Sequence, residues 1–175
     1  MKKSGTPLIV VISGGCPVQL TEIKELADAL ILAWYPGEAG GYAVADIILG
    51  NENPSGRLPV TFVKDVNDLP PFEDYSMKGR TYKYMTKEPL YYFGYGLSYS
   101  NFEYTNLKMQ QEVKAGEKVK ISVDVKNTST KDGDEIVQVY ITDNQASCPV
   151  PVRQLAAFKR ISLKAGEAKI CRTCH

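Results

Sequence analysis

A single histidine, His175, removes much of the chemistry by which small enzymes are recognised. With one imidazole, neither a Ser-His-Asp arrangement nor a zinc site built from several histidines can form. Cysteine is also scarce. Four in 175 residues exclude a disulfide scaffold and leave pairing and redox compartment open. Long apolar runs are missing, because Leu8 to Ile12 is far too short to span a bilayer, so no membrane partner is expected. Met1-Lys-Lys, followed by Gly5-Thr-Pro7, lacks the apolar region and cleavage site of an export signal, so the chain as given is expected to carry none. A charge excess is missing too. With 21 basic and 20 acidic residues the net charge is +1, no global field draws in nucleic acid, and that partner class is set aside.

What remains is an ordinary globular composition, 43% hydrophobic and 23% charged, long enough for one good core or two small ones. Thr6 to Gly15 is a β-branched run closed by glycines, the pattern of a central strand buried on both faces of a parallel sheet. Leu20, Ile23, Leu26 and Ala27 recur at helical spacing, with Thr21 in the N-cap position. Ala29 to Tyr35 reads as a second buried strand. After the Pro36–Gly41 loop, Ala43, Val44, Ile47, Ile48 and Leu49 line one side of a helix that Gly50 ends. Asn53-Pro-Ser-Gly56 is turn chemistry, and Arg57 to Phe62 is expected to be a third, edge-proximal strand because of Pro59. A three-stranded parallel sheet is small, and such sheets need both faces covered, so this piece is expected to belong to something larger.

Residues 75–102 hold seven of the eleven tyrosines, and beyond them period-two alternation takes over. Its members are Phe102, Tyr104 and Leu107; Val119 to Val125; Ile136 to Ile141; and Leu155, Phe158, Ile161 and Leu163. Turns at Lys114–Glu117, Asn127–Asp134 and Lys164–Glu167 space these strands as in a β-sandwich, with about four strands where an immunoglobulin-like sandwich needs around seven. The expected fold is thus α/β followed by all-β: a partial three-layer α/β sandwich domain over 1–72, a Tyr-rich linker over 73–101, and an incomplete fibronectin type III-like β-sandwich over 102–175.

Several blocks carry a family resemblance that periodicity does not. Trp34-Tyr-Pro-Gly-Glu-Ala-Gly-Gly41, Asn53-Pro-Ser-Gly-Arg-Leu-Pro-Val-Thr-Phe62, Asp68-Leu-Pro-Pro-Phe72 with Tyr75 to Tyr84, and Pro89 to Tyr99 resemble the C-terminal half of glycoside hydrolase family 3, the β-glucosidase and β-xylosidase family. Asp134 to Tyr140 and Arg153 to Arg160 are similar to that family's fibronectin type III-like domain. The resemblance covers roughly residues 6 to 169. It implies a parent with an N-terminal (β/α)8-type barrel carrying a nucleophilic Asp, an α/β domain whose upstream loop carries a general acid/base Glu, and the fibronectin-like module. Neither catalytic residue has a counterpart here. The tail, Ile170-Cys-Arg-Thr-Cys-His175, departs from the family's pattern and reads as truncated or frame-shifted, which implies unpaired strand edges.

Retaining glycosidases need two carboxyl groups about 5–5.5 Å apart, and no such pair can be assigned. Glu38 reads as a structural carboxylate, held by free N–H groups and the dipole at a helix start. Asp46, Glu73 and Asp74 read as surface or loop-fixing groups. The glycine clusters Ser13-Gly-Gly15 and Gly37 with Gly40-Gly41 match neither nucleotide-binding spacing. Cys171-Arg-Thr-Cys-His175 matches covalent haem attachment, but no helices follow to build a pocket, and no cofactor or metal is expected. In the aromatic stretch, sugar stacking with hydrogen bonds from Lys78 or Arg80 competes with interdomain packing by Tyr82, Tyr84, Tyr91, Phe93, Tyr95 and Tyr99, with Gly94 and Gly96 at close backbone crossings. Trp34, Glu38, Arg80, Tyr82 and Tyr84 are the candidate carbohydrate or interdomain contacts.

The resemblance thus implies a C-terminal fragment of a retaining β-glycosidase, acting in its intact parent on a β-linked oligosaccharide or aryl glycoside. Alone the fragment is expected to be non-catalytic, with the missing barrel as partner, a bacterial periplasmic or secreted setting for the parent, and self-association through exposed tyrosines. A free-standing carbohydrate-binding module and a split enzyme with a separately encoded barrel are the competing readings.

Overall fold

The β-branched run at the start of the chain folds as β1 (Ile9–Ser13), and after a short helix α1 (Thr21–Leu26) the chain returns as β2 (Ala29–Trp34). The computed structural model describes residues 5–114 and 116–174. Met1 to Ser4, read above for an export signal, Ala115 of the Lys114–Glu117 turn and His175 lie outside the described residues. β1 and β2 are parallel, Ile9 facing Ala29 and Ser13 facing Trp34, with an irregularity between Ile12 and Ser13. The expectation of a strand buried on both faces fails. Among the described residues the sheet has two strands, and alternate side chains of β1, Ile9 and Val11, are 43% and 42% exposed. A β-branched run drives extension whatever covers it, but its burial depends on neighbours that this unit does not supply.

Thr21 is not the N-cap of α1. That position is Leu20, and the Thr21 hydroxyl donates to the Lys64 carbonyl at 2.6 Å. α2 (Gly40–Leu49) ends on Gly50, whose φ of 76° is the left-handed cap that glycine adopts without a Cβ clash. The expected apolar stripe is buried only in part: Val44 and Ile47 are half-buried, whereas Ile48 and Leu49 are exposed.

The third strand expected at 57–62 is absent. It is reduced to one antiparallel bridge between Phe62 and Tyr91. Pro59 offers no N–H to a ladder, and residues 53–57 are engaged elsewhere. The first of two compact units comprises residues 1–52 and 58–93, and the second residues 53–57 and 94–175. The Tyr-rich stretch 73–101 is therefore divided between the units after Phe93. Within the first unit the most buried apolar side chains are Leu20 and Phe62, at 4% and 1% exposure.

The second unit is built from antiparallel strands. β3 (Phe102–Met109), β4 (Lys120–Asn127) and β7 (Ala168–Cys174) form one sheet in the order β3-β4-β7, and β5 (Gly133–Ile141) pairs with β6 (Gln154–Leu163) in another. Five strands replace the four counted from the sequence. The tail is not a departure from the pattern: residues 168–174 pair with β4 along their whole length, Cys171 opposite Val123, and Cys171 is buried while Ile170 points outward at 56% exposure. The core is Val125, Val137, Leu163 and Cys171, flanked by Phe102, Val123 and Ile161. Two expected core positions face out instead. Leu107, 66% exposed, lies within the register shift between Thr105 and Lys108, next to Asn106 with φ 53°. Phe158 is 70% exposed opposite Gln138, on the face of the β5–β6 pair away from Val137.

Candidate functional site

The candidate residues of the first unit fall on different elements. Trp34 closes β2 with φ 52°, its carbonyl accepting from the Gly14 amide at 3.0 Å and the Ser13 hydroxyl at 2.7 Å. Its ring packs on Phe62 at 6.4 Å between centroids, Phe62 meets Tyr91 edge-on at 6.5 Å, and the Lys24 ammonium sits 4.9 Å over Tyr91. Tyr82, on the short helix α3 (Thr81–Tyr84), stacks on Phe93 at 4.1 Å and 11°. Tyr84 is half-buried at the end of that helix. These ring contacts of Trp34, Tyr82, Tyr91 and Phe93 are internal to the first unit, and Tyr95 and Tyr99 belong to the second.

Arg80 precedes α3 and spends its guanidinium on the backbone. It donates to the carbonyls of Pro71 at 2.6 Å, Asp74 at 3.2 Å and Pro70 at 3.3 Å. A planar fork filled by three carbonyls fixes the 70–80 loop. Asp74 accepts from the Ser76 amide, and chiefly that bond holds its carboxyl below the usual range. Asp46 ties down the turn after α2 by accepting from the Asn51 side chain at 3.1 Å. Glu38 does not cap α2 as expected: the N-cap is Ala39, no side chain caps the helix, and Glu38 is exposed one residue earlier.

Among the described residues one carboxylate is buried, Glu135, which in the sequence stands out only as part of a family block. Glu135 lies at 8% exposure on the Val137 side of β5. Arg57 donates to one oxygen at 2.6 Å and the Tyr104 hydroxyl to the other at 2.7 Å. Burial, followed by the bond to Glu135, pushes the Tyr104 phenol up. An ion pair enclosed in this way keeps Glu135 in a structural role. Cys171 is 3% exposed in the core, where it cannot offer its sulfur to a haem vinyl group; the haem reading's His175 lies outside the described residues.

Around the turns of the second unit the carboxylates are paired at the surface. Asp132 meets Lys164 at 2.8 Å and also accepts from the Ala165 amide; Glu167 accepts from the Lys164 amide and meets Lys169 at 3.1 Å. The bond from Lys164 is the main cause that lowers Asp132, and the backbone bond at Lys164 the main cause that lowers Glu167. Because folding depresses both groups, the stability they add is present above the usual carboxylate range, near pH 4, and is lost as pH falls through their folded values. Thermal unfolding between pH 6 and pH 2 should therefore show an acid-side loss that Asp132→Asn makes shallower, and added salt should shrink the difference because these groups are exposed.

Residues 1–99 match the model of the glycosyl hydrolase family 3 C-terminal domain and residues 135–173 that of the fibronectin type III-like domain. The chain belongs to glycosyl hydrolase family 3. It is 43% identical over 167 residues to a xylan 1,4-beta-xylosidase of Xylanibacter ruminicola, covering 95% of this chain and 19% of that enzyme. It is 37% identical to the periplasmic beta-glucosidase of Salmonella typhimurium, covering 97% and 24%. Among solved structures, beta-glucosidase 3B from Thermotoga neapolitana in complex with glucose superposes with a TM-score of 0.88 at 33% identity, covering 99% of this chain and 26% of that one. A beta-glucosidase from Listeria innocua in complex with laminaribiose gives 0.85 at 33%, with 99% and 26% covered. The chain thus spans about a fifth to a quarter of the length of these relatives and corresponds to their C-terminal domains. The second match runs to residue 173, so the tail strand belongs to the family pattern.

Proposed function

We propose that this chain is the C-terminal portion of a retaining β-glycosidase, a β-glucosidase or β-xylosidase acting on terminal non-reducing β-D-glycosyl residues, and that on its own it is non-catalytic and serves domain docking. The supporting observation is the coverage: nearly all of the chain matches between 19% and 26% of each relative compared above. The chemistry agrees. Retention requires two carboxyl groups about 5–5.5 Å apart, one free to attack and one free to exchange a proton. Buried Glu135 is committed to Arg57 and Tyr104. Arg80 and Tyr82 are engaged by loop carbonyls and Phe93, which favours scaffolding over sugar binding at these positions.

The test is hydrolysis of p-nitrophenyl β-glucoside and β-xyloside by the purified chain. No turnover is expected, and turnover that survives rigorous purification would overturn the reading. A second reading, a carbohydrate-binding module, is favoured by one observation, the 81% exposure of both Phe72 and Tyr75. Affinity electrophoresis on soluble glucans and xylans separates the two. Retardation that Tyr75→Ala abolishes would support binding, and unretarded migration supports docking.

A further inference from the structure

The second unit is not a continuous piece of chain. Residues 53–57 belong to it although the chain before and after them is in the first unit, so the backbone passes between units at 52/53, 57/58 and 93/94. The five residues are held at both ends by side chains that fit their partners closely. The Asn53 carboxamide uses its full capacity: Nδ2 donates to the Ser100 hydroxyl and the Asp132 carbonyl, both at 2.8 Å, and Oδ1 accepts from the Ser98 hydroxyl at 2.9 Å and the Tyr99 amide at 2.8 Å. At the other end Arg57 closes its own turn, Nη1 donating to the carbonyls of Ser55 at 3.2 Å and Gly56 at 3.1 Å, while Nη2 reaches Glu135. Between these anchors Gly96 lies so close to Gly56 that a Cβ on Gly96 would meet the Gly56 carbonyl oxygen and the Arg57 side chain.

We propose that Asn53–Arg57 is an intrachain ligand of the β-sandwich unit, a strap recognised by a carboxamide-binding turn at Ser98–Ser100 and Asp132 and by a guanidinium-binding carboxylate at Glu135. Every receptor group is in the second unit, at residues 96–100, at 132 and on β3 and β5. The receptor selects a segment with asparagine first and arginine fifth, and its own Gly96 leaves room for the carbonyl of the fourth residue, Gly56, and for the Arg57 side chain. Seating the strap supplies the guanidinium that pairs with the Glu135 carboxylate on the inner side of β5 and the acceptor that holds the Tyr99 amide. The fibronectin-like unit is accordingly complete only with a segment 37 residues upstream of its main body, whose own ends belong to the other unit.

Amide hydrogen exchange on the full chain reads this directly. Gly96→Ala leaves Glu135 and the apolar core unsubstituted and displaces the strap, the Arg57 side chain included, and it adds no backbone strain of its own, since glycine at 96 is not in the left-handed region. The expected result is acceleration on the order of tenfold, the scale of one hydrogen bond's net contribution, at Tyr99 and in the first residues of β5. The amides of β1 and β2 serve as the internal control and should stay unchanged. Arg57→Met should accelerate the same amides, and more strongly because it leaves Glu135 without its partner, while the double variant should fall short of the sum of the two single effects, because residues acting through one seated segment are not additive. Unchanged exchange at Tyr99 and β5 in Gly96→Ala would overturn the proposal, as would fully additive effects of the two substitutions. Should Arg57→Met fail to fold, Asn53→Ala replaces it in the same cycle with the same two outcomes.

Discussion

Arg57→Met should destabilise the second unit by about 3–5 kcal/mol, the cost of leaving one member of a buried ion pair without its partner. Glu135, 8% exposed in the native chain, then keeps the Tyr104 hydroxyl but loses the guanidinium. Against a domain stability of about 5–15 kcal/mol this is a large share, and the unit should melt well below the rest of the chain. Replacing both members, Arg57→Met with Glu135→Met, should be much milder than either single change, because two apolar groups of similar volume remove the uncompensated charge. Urea unfolding followed by far-UV circular dichroism, with hydrogen exchange to assign the transition to β3–β7, separates the three variants. Equal losses in the single and double variants would show that the packing of Arg57, and not its charge, is what counts.

Phe62→Ala should be the most damaging change in the first unit, costing about 3–5 kcal/mol as a large buried aromatic is deleted. Phe62 is 1% exposed, its ring packs between Trp34 and Tyr91, and its backbone makes the bridge to Tyr91. The unit has few other fully buried apolar side chains to compensate. Trp34 is the single tryptophan of the chain and lies 6.4 Å from the Phe62 ring, so its fluorescence reports this unit alone. The unfolding transition seen by tryptophan emission should move to lower urea while that of β3–β7 stays in place. Phe72→Ala, at an 81% exposed ring, should shift neither by more than about 0.5 kcal/mol.

The order of elements was legible because local signals carry it: the glycine-closed run at Ile9–Ser13, the helical spacing around Ile23, the glycine that ends α2, and the alternation that identifies β4 and β6. The family blocks extended that reading to a mixed α/β part followed by antiparallel sheets. Burial was less legible, since it is decided by neighbours. Ile9 and Val11 have the same sequence character as core residues and are exposed because little of this unit packs over their face of β1. Leu107 is an odd number of positions from Phe102, off its period-two face, and it is exposed where the ladder is irregular around Asn106. Of the candidate site, Arg80 and Tyr82 were identified as notable residue types, but nothing in the sequence announces that three loop carbonyls and Phe93 already occupy them. The pair that proved most buried, Arg57 with Glu135, joins residues 78 positions apart. Asn-Pro-Ser-Gly-Arg reads as a turn by every local criterion, and only the tertiary partner gives it a second meaning.

That separation sets an order of events during synthesis. At about 5–20 residues per second, Arg57 is added to the growing chain roughly 4–16 s before Glu135, 78 residues later. The nascent first unit must therefore carry an unengaged asparagine and arginine on a loop until the sandwich strands arrive. A translational pause between residues 57 and 135 lengthens that interval, and one placed after residue 135 does not.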